Sequence, residues 1–266
     1  MKNILDKIVE RKKEEVALAL QHQPITALKD KPAYHAAAVS AAQNIRSGIQ
    51  PAVITEFKRC SPSKGWIKEH AEVKQIVPGY AGYGAAAISV LTDTDFFGGS
   101  LADFELASSL VDTPLLRKDF TIHSYQLHEA KAYGADLILL IAAILSPAQV
   151  QELAEEAKSI GLEVLLELHG EDELSHVCDA VDMVGINNRN LKNFEVNLDH
   201  SIRMAQALPT QKLRIAESGI HSAEAALYLK QHGFDGFLIG EYFMKQPDPA
   251  IAFAEFLNAY KQLSSV

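Results

Sequence analysis

Eight short apolar segments alternate with helix-like amphipathic segments along most of this chain, and no other feature of the sequence constrains its fold as strongly. Strand–helix alternation repeated eight times is typical of an α/β protein with a (β/α)8 TIM barrel. An open doubly wound sheet is the competing fold, but it would normally carry a glycine-rich nucleotide-binding turn after its first strand, and this sequence has none there. We therefore predict a barrel whose strands span residues 52–56, 86–91, 114–118, 136–141, 163–168, 183–187, 213–217 and 236–240.

A segment of the chain precedes the first predicted strand. Residues 4–20 and 34–45 have the apolar spacing of helices, and the charges at residues 11–15 indicate a solvated helix face. We predict that residues 1–50 form an N-terminal helical extension packed on the barrel. Residues 1–266 are then expected to make a single (β/α)8 barrel domain.

Composition and charge restrict the class of ligand. The net charge of −9 and the lack of a long basic run argue against a nucleic-acid partner. No apolar run reaches the about 18 residues of a membrane-spanning helix. Cys60 and Cys178 fit neither metal nor disulfide spacing, and the amino terminus carries charges too early for a secretory signal. We expect a cytoplasmic protein with no membrane contact and no metal site.

Ionisable side chains follow several predicted strands at their carboxyl ends, where the active site of such a barrel lies. Because strand side chains alternate between two faces, Glu56 and Lys58 point inward with Ile54, and Lys118 points inward with Leu116. A carboxylate and an ammonium group inside a barrel are costly unless they are paired or used. A structural ion pair would explain one such strand end, but several strand ends on one rim favour a shared site. The further strand ends contribute Glu167, Asn187, Arg189, Glu217 and Ser218.

Two glycine turns follow the seventh and eighth predicted strands. Gly219 and Gly240 stand where this fold commonly binds phosphate through backbone amides. Glu241 is awkward beside a phosphate, so we expect its side chain to turn away while its amide contributes. His169 follows Glu167 on the same strand face, but a position on the protein surface is favoured for it.

Several stretches of the sequence resemble the indole-3-glycerol phosphate synthase family. They share its order and extend over nearly the whole chain, which makes the resemblance specific. The stretches are residues 56–63 (EFKRCSPS), 91–93 (LTD), 96–100 (FFGGS), 116–120 (LRKDF), 185–191 (GINNRNL) and 216–220 (AESGI).

The resemblance implies a carbon–carbon lyase, a carboxy-lyase that closes the indole ring in tryptophan biosynthesis. Its substrate would be a small phosphorylated molecule, 1-(2-carboxyphenylamino)-1-deoxyribulose 5-phosphate. This substrate would lose carbon dioxide and water to become indole-3-glycerol phosphate. The family needs no cofactor and no metal, so none is expected here.

Carried over position by position, the resemblance implies Lys118 as the general acid and Glu167 as the general base of dehydration. Lys58 would hold the anthranilate carboxylate, and which lysine donates the first proton stays open. Glu56 and Asn187 would contact the sugar hydroxyls, with Asn187 and Ser218 among the catalytic positions. The remaining implied positions are Ser61 in a mobile loop over residues 61–65, Leu91 and Phe97 against the aromatic ring, and Arg189, Glu217, Gly219, Leu238, Gly240 and Glu241 in the other walls.

Two alternatives stay open at the level of sequence. A Schiff-base-forming sugar-phosphate aldolase would use Lys118 or Lys58 as a nucleophile, and a non-catalytic phosphate-ligand-binding barrel would use the site for binding alone. The chain ends soon after its last predicted strand, so we expect no fused second barrel. We expect a monomer or weak homodimer, and contact with other tryptophan-pathway enzymes is left open.

Overall fold

The computed structural model describes residues 3–47, 51–188 and 198–265. Within these residues, eight parallel strands form a closed barrel in which the first strand pairs with both the second and the eighth. The strands are Ala52–Phe57, Ala87–Leu91, Leu115–Lys118, Leu137–Ile141, Glu163–Leu168, Met183–Asn187, Leu213–Glu217 and Gly236–Ile239. The predicted (β/α)8 barrel is confirmed, and each predicted strand end lies within one residue of the observed one.

Helices precede the barrel and connect its strands. The α-helices are Ile4–His22, Ile25–Lys29, Ala41–Ser47, Val73–Gly82, Thr94–Phe97, Leu101–Leu110, Ser124–Ala132, Pro147–Ser159, Leu198–Ala207, Ala223–Gln231, Glu241–Met244 and Pro249–Ser264. Short 3-10 helices span Pro32–His35, Ala142–Ile144 and Glu171–His176. None of the described helices is long and apolar enough to cross a membrane.

The strands separate two apolar cores. Side chains that point into the barrel, such as Ile54 and Leu116, form one buried cluster, while Val53 and Phe57 point outward into a second cluster with the surrounding helices. This is the alternation predicted for the first strand. The carboxyl group of Glu56 therefore emerges at the top of the inner core.

The N-terminal extension is helical, but one predicted helix is wrong. Residues 34–45 were expected to be continuous, whereas the structure has a 3-10 helix at Pro32–His35 and a separate α-helix at Ala41–Ser47. Between them the Val39 amide donates to Asp136 Oδ1 at 2.7 Å, and the Ser40 hydroxyl accepts the Gln43 amide at 3.0 Å. These bonds hold the chain extended and start the next helix at its N-cap.

The loop after the first strand folds over the top of the barrel. It contains a short antiparallel hairpin in which Cys60 pairs with Trp66. At its base, Arg59 makes a two-pronged ion pair with Asp103, at 2.6 and 3.0 Å, and donates to the Gly98 carbonyl oxygen. Bidentate arginine–carboxylate pairs fix geometry well, so the base of this loop is anchored to the helix Leu101–Leu110 and to the turn before it.

Candidate active site

One cavity of about 390 Å³ opens at the carboxyl ends of the strands. It gathers every predicted site residue that the structure describes. Its walls contain Glu56, Lys58, Ser61, Leu91, Phe97, Lys118, Glu167, Asn187, Glu217, Ser218, Gly219, Leu238, Gly240 and Glu241. Arg189 lies outside the described residues.

Lys118 and Glu167 form the central ion pair of this cavity. Lys118 Nζ lies 2.9 Å from Glu167 Oε2, and the other carboxylate oxygen, Oε1, accepts a hydrogen bond from Asn187 Nδ2 at 2.9 Å. His169 Nε2 lies 3.0 Å from the same Oε1. The fifth and sixth strands, which are neighbours, and the third strand, which is not adjacent to them, therefore place these groups around one carboxylate.

At this ion pair the neighbouring charges affect the pKa values of Lys118 and Glu167 more strongly than burial does. Burial alone would lower the pKa of Lys118, but the carboxylates of Glu167, Glu217 and Glu56 outweigh it and raise that pKa above its ordinary value. Burial alone would raise the pKa of Glu167, but Lys118 and His169 lower it well below its ordinary value. At neutral pH the lysine is protonated and this carboxyl group is ionised.

Glu217 behaves differently although it faces the same lysine. Its Oε2 lies 3.7 Å from Lys118 Nζ, a longer separation than that of Glu167. Burial and the negative charge of Glu167 raise the pKa of Glu217 to about 8. A Cβ atom at Gly185 would overlap the Glu217 carboxylate, so the sixth strand needs glycine there for this side chain to fit.

Lys58 and Glu56 form a second lysine–carboxylate pair on the first strand. Lys58 Nζ lies 2.5 Å from Glu56 Oε1, and the Glu56 side chain is nearly fully buried. A Cβ atom at Gly240 would overlap Glu56, so the eighth strand end is shaped around this carboxylate. The structural ion pair considered from sequence is present, and it lies inside the cavity.

The loops after the seventh and eighth strands contribute mainly backbone groups to the cavity wall. Ser218 and Gly219 adopt φ angles of 65° and 70°, a left-handed conformation that glycine favours and serine rarely takes. The Ser218 carbonyl oxygen accepts from Asn188 Nδ2 at 2.8 Å, which holds the turn. Glu241 pairs with Lys245 at 2.5 Å, so its side chain is engaged by its own helix.

An apolar wall faces these loops. Leu91 and Phe97 belong to it, and the Phe97 ring lies 5.9 Å from that of Phe120, measured between centroids. The N-terminal helix adds Ile4 and Ile8. This combination of an apolar wall and a charged floor suits a ligand with an aromatic part and anionic ends.

The sequence did not identify several residues of this site. The prediction of a surface position for His169 is wrong, because its side chain is only 11% exposed and lines the cavity beside Glu167. The sequence did contain a signal for His169: it lies two residues after Glu167, so strand alternation places both side chains on the same face. Ile4 and Ile8 lie in the helix predicted over residues 4–20, but periodicity does not say which end of a barrel a helix covers. In the described part of the chain, no group of His, Cys, Asp and Glu could hold a metal ion.

The fold and the site define a (β/α)8-barrel protein whose top cavity carries two lysine–carboxylate pairs. A family model described as indole-3-glycerol phosphate synthase matches residues 5–256. The indole-3-glycerol phosphate synthase of Bacteroides thetaiotaomicron is 48% identical over 259 residues, which cover 97% of this chain and 99% of that protein. That of Albidiferax ferrireducens is 42% identical, with 96% and 98% covered. The chain therefore belongs to the indole-3-glycerol phosphate synthase family, as the resemblance indicated.

Solved structures of lower identity agree on the fold. A mutant tryptophan synthase α-subunit from Pyrococcus furiosus has a TM-score of 0.59 at 14% identity, over 79% of this chain and 98% of that one. The α-subunit from Legionella pneumophila has a TM-score of 0.61 at 13% identity, over 85% of this chain and 97% of that one. At such identity the likeness shows a common barrel fold.

Proposed function

We propose that this protein is an enzyme that catalyses the reaction of its family. It would convert 1-(2-carboxyphenylamino)-1-deoxyribulose 5-phosphate to indole-3-glycerol phosphate, with loss of carbon dioxide and water. The observation that carries the proposal is the presence of two lysine–carboxylate pairs, Lys118–Glu167 and Lys58–Glu56, in one cavity. Membership of the family supports it independently.

The cavity can hold such a substrate in a folded form. Lys58 would bind the anthranilate carboxylate, while Leu91 and Phe97 would pack on the aromatic ring. Amides of Gly219 and Gly240 would bind the phosphate on the opposite side, where glycine permits close approach. Two anchored ends bring the ring carbon close to the sugar carbonyl, and such positioning converts much of the entropic barrier into binding.

Ring closure requires a proton at the carbonyl oxygen. As the ring carbon that bears the carboxylate attacks the carbonyl carbon, Lys118 would donate its proton to the developing alkoxide. The C–CO₂ bond then breaks, and its electron pair restores the aromatic ring. The raised pKa of Lys118 keeps the proton in place until that step.

Dehydration then requires a base. When Lys118 has given up its proton, the positive charge that depresses the pKa of Glu167 is lost, so the carboxylate becomes a stronger base. Glu167 would take a proton from the ring-closed intermediate, and Lys58, the second ammonium group of the cavity, would donate a proton to the departing hydroxyl so that it leaves as water. Donation at one step therefore prepares the base for the next.

The remaining positions would complete the walls. Glu56 and Asn187 would contact the sugar hydroxyls, and Asn187 also orients Glu167 through its hydrogen bond. Ser61 would close over the substrate with the mobile loop of residues 61–65. Arg189, Glu217, Ser218, Leu238 and Glu241 would contribute the rest of the binding surface.

Turnover of this substrate tests the proposal directly. We expect indole fluorescence to report turnover by the wild type, and Lys118→Met to lower kcat by about 10²–10⁴-fold through loss of the positioned acid. Lys58→Met should raise KM as well, because it removes a carboxylate partner. Lys13→Met, at an exposed position of the N-terminal helix, is the matched control. Full turnover by Lys118→Met would contradict the assignment.

The aldolase alternative is disfavoured by charge. A Schiff-base lysine must be neutral to attack, whereas three carboxylates raise the pKa of Lys118. Borohydride treatment in the presence of substrate should therefore give no covalent adduct. An adduct at Lys118 or Lys58 would favour the aldolase, and tight binding without turnover would favour a binding module.

We further propose a cytoplasmic protein that acts as a monomer or weak homodimer, with the barrel and its N-terminal extension in a single domain. Contacts between the extension and the barrel, such as the bond from the Ala42 amide to Glu163 at 3.0 Å, support the single domain. Sedimentation at micromolar to millimolar concentration would give the oligomeric state. Sedimentation of mixtures with other tryptophan-pathway enzymes would show contact with them as co-sedimentation.

A further inference from the structure

Lys12, on the N-terminal helix, is a buried cation that the chemistry above does not use. The sequence predicts a solvated face at residues 11–15, which is wrong for Lys12, because only 3% of it is exposed. A buried ammonium group is costly unless carboxylates surround it. Its Nζ lies 2.6 Å from Glu15 Oε2, 3.0 Å from Asp93 Oδ2 and 2.9 Å from Asp119 Oδ1. Lys12 therefore joins its helix to two loops of the barrel.

The ion pairs of this cluster continue across the barrel wall. Asp119 also binds Arg117, at 3.1 Å, and Arg117 binds Glu129 at 2.7 Å. Burial alone would raise the pKa of Asp119, but Arg117 and Lys12 lower it to about 2. Carboxylates likewise raise the pKa of Lys12 although burial opposes this. Lys12 and Asp119 therefore stay ionised throughout the physiological range.

Each carboxylate that Lys12 binds is next to a part of the cavity. Asp119 directly follows Lys118, the proposed general acid. Asp93 caps the short helix that ends in Phe97, because its Oδ1 accepts the Phe96 amide at 2.8 Å. One ammonium group thus holds both the strand end with the acid and the turn with the aromatic wall.

The helix that carries Lys12 also lines the cavity itself. Ile8 lies four residues before Lys12, so the two side chains share one helix face. Ile4, Leu5 and Ile8 are in the cavity wall. The position of this apolar surface over the site therefore depends on where Lys12 is held.

We propose that Lys12 is a positioning residue of the active site, which fixes the N-terminal helix, the Phe97 turn and the Lys118 strand end relative to one another by binding Asp93 and Asp119 together. The inference rests on the function proposed above for the cavity. Because a displacement of about 1 Å costs on the order of 10²-fold in rate, the effect should be visible in steady-state kinetics.

The test compares Lys12→Met with Lys13→Met, the same change at the neighbouring exposed position. Lys12→Met leaves two buried carboxylates without this partner and is expected to reduce stability. A second variant, Lys12→Met with Asp93→Asn, removes one of those charges while asparagine retains the helix cap. Asp182→Ala, at the opposite end of the barrel, serves as a comparison for loss of stability alone.

We expect the double variant to lose about 10- to 100-fold in kcat/KM relative to Lys13→Met, with KM raised and kcat lowered. At a temperature where all variants are folded by circular dichroism, Asp182→Ala should keep both constants. Unchanged constants in the double variant, or losses equal to those of Asp182→Ala, would overturn the proposal.

Amide hydrogen exchange separates this inference from the proposed function. If the wild type fails to turn over the substrate, the proposed function fails, and exchange alone then decides the role of Lys12. Faster exchange in residues 4–12 and 94–97 of the double variant than in Lys13→Met would support the proposal. Equal exchange in both variants would refute it.

Discussion

Glu167 and Glu217 face the same lysine, yet their surroundings shift their pKa values in opposite directions. Asn187 and His169 contact Glu167, and Lys118 is closer to it, so its charged form is stabilised. Glu217 is equally buried but receives less compensation, and its pKa rises to about 8. Pairs of carboxyl groups whose pKa values are pushed apart can divide acid and base roles, so Glu217 can act as a neutral hydrogen-bond donor where Glu167 acts as a base.

The raised pKa of Glu217 predicts how stability depends on pH. Between its ordinary pKa of 4.5 and about 8, the folded protein binds a proton that the unfolded chain has released. The contribution of Glu217 to the free energy of unfolding is therefore fully present below the lower pKa and is lost as pH rises through the upper one. Relative to Glu217→Gln, the wild type should lose up to about 1.4 kcal/mol per pH unit in this window.

Urea denaturation of both proteins at several pH values between the two pKa values measures this difference. A gap between the two unfolding free energies that shrinks or reverses with rising pH is the expected result. Parallel curves would mean that Glu217 titrates at its ordinary pKa in the folded protein. Glu224→Gln, at an exposed position of a helix, is the matched control for the substitution itself.

At the scale of elements, acidic residues join the strands at the amino-terminal end of the barrel. Asp136 precedes the fourth strand and accepts the Leu115 amide of the third at 2.8 Å. Asp182 precedes the sixth strand and accepts the Val164 amide of the fifth at 2.8 Å. Each carboxylate satisfies a backbone donor on the preceding strand, which fixes the register at the end of the barrel away from the cavity.

Removal of one such carboxylate should reduce stability without affecting turnover. Asp182→Ala leaves the Val164 amide without its partner and Lys158 without its ion pair. We expect a loss of about 1–3 kcal/mol in the free energy of unfolding, measured by urea denaturation. Asp112→Ala, at an exposed position, should cost much less. A similar loss in both variants would contradict a specific role for Asp182.

The strands were predictable because period-two alternation and apolar content act locally. Helix boundaries in the N-terminal extension were less predictable from the sequence. The break between Pro32–His35 and Ala41–Ser47 depends on Asp136 and Glu163, which are remote in sequence. Helix propensity depends on the local sequence and therefore cannot indicate hydrogen-bond partners that are remote in sequence.

Site residues divide in the same way. Glu56, Lys58 and Lys118 stood out because charges at strand ends break an apolar pattern. Lys12 did not, because a lysine on a charged helix is ordinary until tertiary contacts bury it. His169 lies on the strand face that points into the cavity, yet its low exposure depends on barrel closure, which the sequence alone does not display.

The whole molecule separates stability from chemistry along the barrel axis. Carboxylates at the amino-terminal end bind backbone amides, whereas carboxylates at the carboxyl end bind lysines inside the cavity. The N-terminal extension touches both ends. Its helix Ala41–Ser47 contributes Ala41 and Ile45 to the inner core, and Ile4–His22 lies over the cavity.

An extension bound at both ends should unfold together with the barrel. Lys12 pairs with Asp93 and Asp119, and Glu163 binds the Ala42 amide, so separation of the extension would expose buried charges at one end and apolar core at the other. We expect one cooperative transition, with amides of Ile4–His22 and of the barrel strands exchanging through the same global opening. Native-state hydrogen exchange at increasing denaturant measures this directly. Exchange of the helix at a markedly lower free energy, independent of denaturant, would show instead that the extension opens alone and that the chain does not behave as a single domain.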